Sequence, residues 1–125
     1  MNNRAKGIDA ETMACEYMTA HGMTVLERNY ACKTGEIDIV AEDGGYLIFC
    51  EVKARKNALY GYPVEAVTPQ KITQIVRTAQ WYLKSKRKVD ADVRFDLALV
   101  DTTKETLDYI PNAFTADDMG RRNRW

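Results

Sequence analysis

The sequence predicts a single α/β domain whose elements follow the order α-β-β-β-α-β-β. Two segments carry apolar residues at the three- and four-residue spacing of amphipathic helices, and five others alternate or run apolar as strands do. The chain has 125 residues, of which 46% are hydrophobic, which is enough for one compact core and short for two. We expect the domain to span residues 1–116, followed by an arginine-rich C-terminal tail over residues 117–125.

The two predicted helices are marked by their ends as well as by their apolar stripes. The first spans about residues 5–21, and His21-Gly22 supplies its stop, so His21 is expected to cap the helix rather than to react. The second follows Thr68-Pro69, an N-cap with proline at the first helical position, and ends near Lys88. Its buried stripe is predicted to be Ile72, Ile75, Val76, Ala79, Tyr82 and Leu83.

The strands are predicted from alternation and from the turns between them. The turn Asp43-Gly44-Gly45 joins two strands as a β-hairpin, and residues 57–67 are expected to form a loop. The predicted strands are Met23–Tyr30, Glu36–Ala41, Tyr46–Lys53, Val93–Val100 and Thr106–Ile110.

Charge and composition narrow the functional classes. Eighteen basic and eighteen acidic residues cancel, so nucleic-acid affinity has to come from local clusters such as Lys84–Lys88 and Arg121–Arg124. Taken alone, each cluster is better explained as a solvated helix end or as a disordered tail. The three cysteines lack paired Cys-x-x-Cys spacing, and no segment has the length of a membrane span or signal peptide. We expect a cytoplasmic protein with reduced cysteines and no membrane contact.

The hairpin count brings acidic residues of two strands together. With Gly44 and Gly45 as the turn, two carboxylates lie side by side, and opposed residues on one sheet face have Cβ atoms about 4.5–5.5 Å apart. Val40, Leu47 and Phe49 share that face, which predicts a partly enclosed cleft, while Ile37, Ile39, Ile48, Cys50 and Val52 form the core on the other face. The opposed pairs are Asp43 and Tyr46, Val40 and Phe49, Asp38 and Glu51, and Glu36 and Lys53.

Asp38, Glu51 and Lys53 are the residue types that metal-dependent phosphodiester cleavage requires. Mg²⁺ or Mn²⁺ prefers oxygen ligands, and Mg²⁺ commonly uses one or two carboxylates together with water and substrate phosphate. A nearby lysine can orient or deprotonate the attacking water, or offset charge on the phosphate. The alternative is that these residues form ordinary cross-strand ion pairs on an exposed hairpin face.

Glu11 is a further candidate, because it falls at the margin of the first helix's buried stripe, where an unpaired acid is costly. The alternative is an acid at a helix N-terminus, favoured there by the helix dipole.

Several separated motifs, from about Lys6 to Phe114, resemble the YraN family of small bacterial proteins. They are Gly7-Ile8-Asp9-Ala10-Glu11 with Ala14, Arg28-Asn29-Tyr30, Gly35-Glu36-Ile37-Asp38, Glu51-Val52-Lys53-Ala54-Arg55, Tyr60-Gly61-Tyr62-Pro63 and Arg94-Phe95-Asp96. The resemblance implies a restriction-endonuclease-like core, with a mixed sheet flanked by helices, similar to archaeal Holliday junction resolvases.

The resemblance also implies roles for individual residues. Asp38, Glu51 and Lys53 match the acids and lysine of the PD-(D/E)-x-K motif, whose proline is replaced by Ile37. The main-chain carbonyl of Val52 is implied as a further metal ligand, and Glu11 as a supporting acid that acts through a metal-bound water.

These observations lead to an expected function and to a rival. We expect a Mg²⁺-dependent endonuclease on DNA, with branched or damaged DNA as candidate substrates and phosphate contacts from Arg55, Lys56 and Lys71. Related resolvases act in pairs, so a homodimer is a further expectation. The rival is a non-catalytic nucleic-acid-binding or protein-interaction module that keeps the nuclease fold.

Overall fold

The computed structural model describes residues 9–55 and 67–119. Their elements follow the predicted order, and a short 3₁₀ helix ends the described part. They are α1 (Ala10–Ala20), β1 (Thr24–Cys32), β2 (Gly35–Asp43), β3 (Tyr46–Arg55), α2 (Pro69–Ser85), β4 (Asp92–Asp101), β5 (Thr106–Phe114) and the 3₁₀ helix Ala116–Asp118.

The five strands form one mixed sheet in the order β1-β2-β3-β4-β5. β3 and β4 are parallel, and the other neighbouring pairs are antiparallel. Parallel neighbours need a crossover connection, and α2 lies in the chain between β3 and β4. The predicted α/β class, with a mixed sheet flanked by helices, is confirmed.

Each face of the sheet packs against one helix. On the α1 side, Ala14 and Met18 contact a buried cluster that includes Ile39, Ile48 and Cys50. On the α2 side, a second buried cluster consists of the apolar stripe of the helix and of aromatic and aliphatic residues of the strands. The buried residues of this α2-side cluster are Ile37, Val40, Leu47, Phe49, Ile72, Ile75, Val76, Ala79, Tyr82, Phe95 and Phe114. Both faces are therefore covered, which is why the central strands contain so few polar residues.

The helix ends follow from capping chemistry. The Asp9 side chain accepts a hydrogen bond from the Thr12 N–H at 2.9 Å, and the Thr68 hydroxyl accepts one from the Lys71 N–H at 3.2 Å. His21 is the C-cap of α1, as predicted, with its Nδ1 2.8 Å from the Tyr17 carbonyl oxygen. α2 ends at Ser85, before the predicted Lys88, because Arg87 has the left-handed φ of 58°.

β5 extends beyond its predicted end at Ile110. Pro111 removes a donor and normally interrupts a strand, but β5 lies at the edge of the sheet, where proline is tolerated. The register to β4 shifts between Phe95 and Leu97, and Asn112 has a φ of 52°. This irregularity lets the strand continue to Phe114.

Some predictions fall on residues outside the described ranges. These are the first residues of the predicted α1, the loop over residues 57–66, Lys56 and the arginines near the C-terminus. Within the predicted tail, Asp117 and Asp118 belong to the 3₁₀ helix and Met119 packs against the α2-side cluster. Cys15, Cys32 and Cys50 are free thiols.

No helix among the described residues has both the length and the apolar character that a bilayer crossing requires.

Candidate functional site

The β2–β3 hairpin has the predicted register near its turn and departs from it near the acids. The strands pair from Asp43 with Tyr46 to Ile39 with Cys50, and the predicted pairing of Val40 with Phe49 is confirmed. The ladder ends there, so the predicted direct pairing of Asp38 with Glu51, and of Glu36 with Lys53, is wrong.

Asp38 explains why the ladder ends. Its Oδ2 accepts a hydrogen bond from the Val52 N–H at 2.8 Å, so a side-chain oxygen takes a β3 amide that faces β2. The carboxylate of Asp38 still lies close enough to Glu51 to raise the pKa of that residue. The two acids therefore meet through a gap in the sheet rather than through a regular cross-strand pair.

Ile37 shows the same local irregularity. Strict alternation predicts that it shares a face with Ile39, yet Ile37 packs in the α2-side cluster and Ile39 in the α1-side cluster. Its partner on β1, Tyr30, also packs on the α2 side. Asn29, the residue before Tyr30, has a left-handed φ of 56°. The alternation of both strands is thus interrupted beside Asp38.

Glu51 is the buried centre of the site. It is 5% exposed, and its Oε2 lies 3.8 Å from the Nζ of Lys53 and 3.8 Å from the Nζ of Lys71. Burial, reinforced by the negative charge of Asp38, raises the pKa of Glu51 to about 7, although both lysines oppose this. The two acids are thus held together in a place where a second negative charge is costly.

This burial argues against surface ion pairs on an exposed hairpin face. Val40, Leu47 and Phe49 on the same side are buried, as the predicted enclosed cleft requires, and helix α2 covers them. The two lysines reach solvent, with side chains 38% exposed at Lys53 and 34% at Lys71.

Glu11 lies on α1 and is joined to a different pair of residues. Its Oε1 accepts hydrogen bonds from the Arg28 Nε at 3.1 Å and from the Asn29 Nδ2 at 3.0 Å, and the Arg28 Nη2 lies 3.0 Å away. These side-chain contacts of Glu11 are with β1. Glu11 therefore holds the part of β1 that lies beside Asp38.

The remaining predicted residues surround the acids unequally. Val52 is half-buried, and its amide is bound by Asp38. Arg55 is exposed at the end of β3, where its carbonyl oxygen accepts a hydrogen bond from the Thr102 N–H at 2.9 Å. Lys71, predicted as a phosphate contact, pairs with Glu51, and Lys56 lies outside the described residues.

Comparison with known proteins places the chain among bacterial relatives. The model of a family described as "Uncharacterised protein family UPF0102" matches residues 10–100. The chain belongs to the UPF0102 family. This agrees with the resemblance to YraN-like proteins.

Relatives named UPF0102 protein match the chain over nearly its whole length. The protein of Lachnoclostridium phytofermentans is 44% identical and covers 93% of this chain and 98% of the relative. Those of Geobacter metallireducens and Dictyoglomus turgidum are 40% and 42% identical, each over 91% of this chain, with 95% and 100% of the relative covered.

Two features of this UPF0102 member escape a reading of its sequence. The pairing of Lys71 with Glu51 depends on the crossover, which returns the N-terminus of α2 to the end of β3. Asp96 is fully buried on the α1 side, where it accepts hydrogen bonds from the Arg94 Nε and Nη2 at 2.9 and 2.8 Å, and from the Tyr109 hydroxyl. An acid inside the apolar run Val93–Val100 is the signal for such a network.

The donor set suits one hard divalent cation. Asp38 and Glu51 supply carboxylate oxygens; burial chiefly raises the pKa of Glu51, the charge of Asp38 adds to this, and a cation between the two acids would oppose both effects. The described residues contain no group of three or more acids, histidines and cysteines arranged to hold a metal. The pair therefore fits Mg²⁺, which is satisfied by one or two carboxylates, better than it fits a metal that needs a full protein cage.

Proposed function

We propose that this UPF0102 protein is a metal-dependent endonuclease that hydrolyses phosphodiester bonds in DNA, with branched or damaged DNA as candidate substrates. The observation that carries the proposal is the buried Glu51 carboxyl beside the half-buried Asp38, with two lysine ammonium groups 3.8 Å from Glu51. Perturbed, buried acids next to cations are common at catalytic sites. The resemblance to restriction-endonuclease-like proteins supports the same assignment.

Each residue has a separate task in this proposal. Asp38 and Glu51 would hold Mg²⁺ or Mn²⁺, and the main-chain carbonyl of Val52 is a candidate further ligand. When bound, the metal supplies Lewis-acid stabilisation of the oxygens around phosphorus. Lys53 would orient or deprotonate the attacking water, because its ammonium lies 3.8 Å from the Glu51 carboxylate and its side chain is 38% exposed.

Lys71 and Glu11 support the site from the two helices. Lys71 neutralises the same Glu51 oxygen as Lys53, and its partial exposure also lets it meet a substrate phosphate. Glu11 binds Arg28 and Asn29, and thereby positions the strand beside Asp38. We assign Glu11 to positioning.

The test compares cleavage of duplex, flap and four-way-junction DNA by the purified protein with Mg²⁺ or Mn²⁺. We expect Asp38→Ala and Lys53→Ala to lose at least about 100-fold in rate, as is usual when an acid–base or electrostatic group is removed. Asp108→Ala and Lys104→Ala change exposed residues of matching charge, on β5 and in the preceding turn, and should cleave like wild type.

Two outcomes would count against the enzyme. Cleavage that survives unchanged in Asp38→Ala would refute the metal-site assignment. If wild type binds a structured DNA but does not cut it with either ion, the non-catalytic interaction module becomes the better explanation. The neutral net charge of the chain is compatible with that rival.

A further inference from the structure

A groove runs along the exposed side of α2, next to the β1–β2 turn. We propose that this α2 groove binds a single-stranded segment of nucleic acid and leads it toward Glu51. Its lining includes Thr34 of the turn and Lys71, Gln74, Arg77, Trp81 and Lys84 of the helix. The inference that the bound strand runs toward Glu51 rests on the proposed function, whereas the inference that the groove binds a single strand does not.

The groove is continuous with the candidate site. It consists of two adjoining depressions of about 310 and 500 Å³, and both are bordered by Thr34 and Arg77. Lys71 borders one depression and also lies 3.8 Å from the Glu51 carboxylate. A strand held along α2 would therefore arrive at the acid pair.

The helix presents this surface as a regular stripe. Gln74, Arg77, Trp81 and Lys84 follow one another at three- and four-residue spacing, which places them on one side of α2, away from the buried stripe. From Lys71 to Lys84 the helix rises about 20 Å at 1.5 Å per residue. That length accommodates about six phosphates of a stacked strand at 3.4 Å each.

The groove is positively charged although the whole molecule is neutral. Lys71, Arg77 and Lys84 line it, and the described lining residues include no acid. Arg77 and Lys84 form no ion pair with a described residue, so their charges are available to a ligand. By contrast, Lys86 pairs with Glu27 at 3.4 Å and Lys88 with Glu42 at 3.8 Å. Two of the lysines at the end of α2, Lys86 and Lys88, are therefore neutralised, whereas Lys84 on the groove side is not neutralised by a described residue.

Trp81 indicates that the ligand is single-stranded. Its indole is 45% exposed and stands between Arg77 and Lys84 on the stripe. A flat aromatic flanked by cations suits an unpaired base that stacks while its neighbouring phosphates bind the cations. The bases of an intact duplex are already stacked on one another, so they cannot use this surface.

One wall of the groove is held in place before any ligand binds. The Thr34 hydroxyl lies 2.9 Å from the Thr78 hydroxyl on α2 and 3.2 Å from the Cys32 Sγ. A Cβ atom added at Gly35 would lie 2.7 Å from the Gln74 Cγ, so glycine permits the close approach of turn and helix. Because the wall is preorganised, little ordering cost opposes binding.

Fluorescence of the full chain tests the proposal without any cleavage. The chain has two tryptophans, Trp81 and Trp125, so Trp125→Phe leaves Trp81 as the sole reporter. The probes are oligothymidylate and oligouridylate of about 12 nucleotides, within the site sizes of single-strand binders, and a blunt DNA duplex, all in EDTA. We expect the single strands to quench Trp81 emission and the duplex to have little effect; the two sugars show whether DNA or RNA is preferred.

Variants then test the individual contacts by fluorescence anisotropy of labelled oligonucleotides. Trp81→Ala should weaken single-strand binding about fivefold to a hundredfold, with partial recovery in Trp81→Phe. Arg77→Ala should weaken binding and reduce the slope of log K against log salt by about 0.7. Lys104→Ala removes an exposed lysine outside the groove and should bind like wild type with an unchanged slope.

The outcomes separate this proposal from that of catalysis. Absence of single-strand binding, or equal binding by wild type, Trp81→Ala and Arg77→Ala, overturns the groove. If Trp81→Ala and Arg77→Ala also cut a substrate as fast as wild type, the nuclease assignment stands without the groove. If the strand binds through Trp81 and Arg77 but is never cut, the groove stands and the nuclease assignment fails.

Discussion

Glu51 is an acid that the fold buries beside a second carboxyl group. Its raised pKa, about 7, means that the metal-free folded protein holds a proton where the unfolded chain has released one. The free energy of unfolding should therefore fall as the pH rises from the pKa of an ordinary glutamate to about 7. Above that pH it should level off. We expect a loss of up to about 3 kcal/mol from this group.

Glu51→Gln should remove that pH dependence, because the amide has no proton to lose. Denaturant unfolding in EDTA at about pH 5 and about pH 8 measures the effect. At the higher pH we expect the variant to be more stable than wild type, as is common when a strained functional group is replaced. Glu16→Gln, at an exposed position on α1, is the matched control. The same pH dependence in wild type and Glu51→Gln would contradict the burial argument.

β4 and β5 are joined by a buried network around Asp96. The carboxylate accepts hydrogen bonds from Arg94, from the Tyr109 hydroxyl and from the Asn112 N–H at 2.9 Å. Asp96→Asn leaves a partly buried guanidinium with only the more exposed Asp43, 3.5 Å from its Nη1, as counter-charge, and should cost about 3 kcal/mol in unfolding free energy. Tyr109→Phe, which removes one donor, should cost about 1–2 kcal/mol.

Chemical denaturation of these two variants checks the network. Asp108→Asn, an exposed acid on β5, should stay within about 0.5 kcal/mol of wild type. A similarly small effect of Asp96→Asn would show that Asp43 alone is a sufficient counter-charge for Arg94.

The β1–β2 turn meets α2 at Gly35, where the φ of +144° and the nearby Gln74 side chain both disfavour a Cβ atom. Gly35→Ala should destabilise the protein by about 1–3 kcal/mol through strain and the clash. A double-mutant cycle with Gln74→Ala separates these causes, because the shorter alanine side chain relieves the clash and leaves the backbone strain at residue 35 unchanged. Full additivity of the two changes in unfolding free energy would rule out the clash.

Across the whole molecule, the predictable features are those set by local patterns. The element order follows from periodicity, the start of α2 from Thr68-Pro69, and the hairpin register near its turn from two glycines. These signals lie within a few residues of the structure they determine, so a single sequence reveals them.

The features that escape prediction depend on distant parts of the chain. A side-chain bond from Asp38 to the Val52 amide ends the hairpin ladder, and the crossover brings Lys71 to Glu51. The pairing of Glu11 with Arg28 likewise joins separate elements. Alternation identifies which residues share a face of a regular strand, but it cannot reveal where a strand stops being regular.

The parallel pairing of β3 with β4 also has a consequence for the order of folding. The β2–β3 hairpin closes a short loop, and hairpins form in about 1–10 μs. The β3–β4 pairing must close over the whole α2 crossover, which is a slower, long-range step. During folding, Asp38 and Glu51 therefore come together before Lys71 arrives, and the early hairpin bears their mutual repulsion until α2 docks.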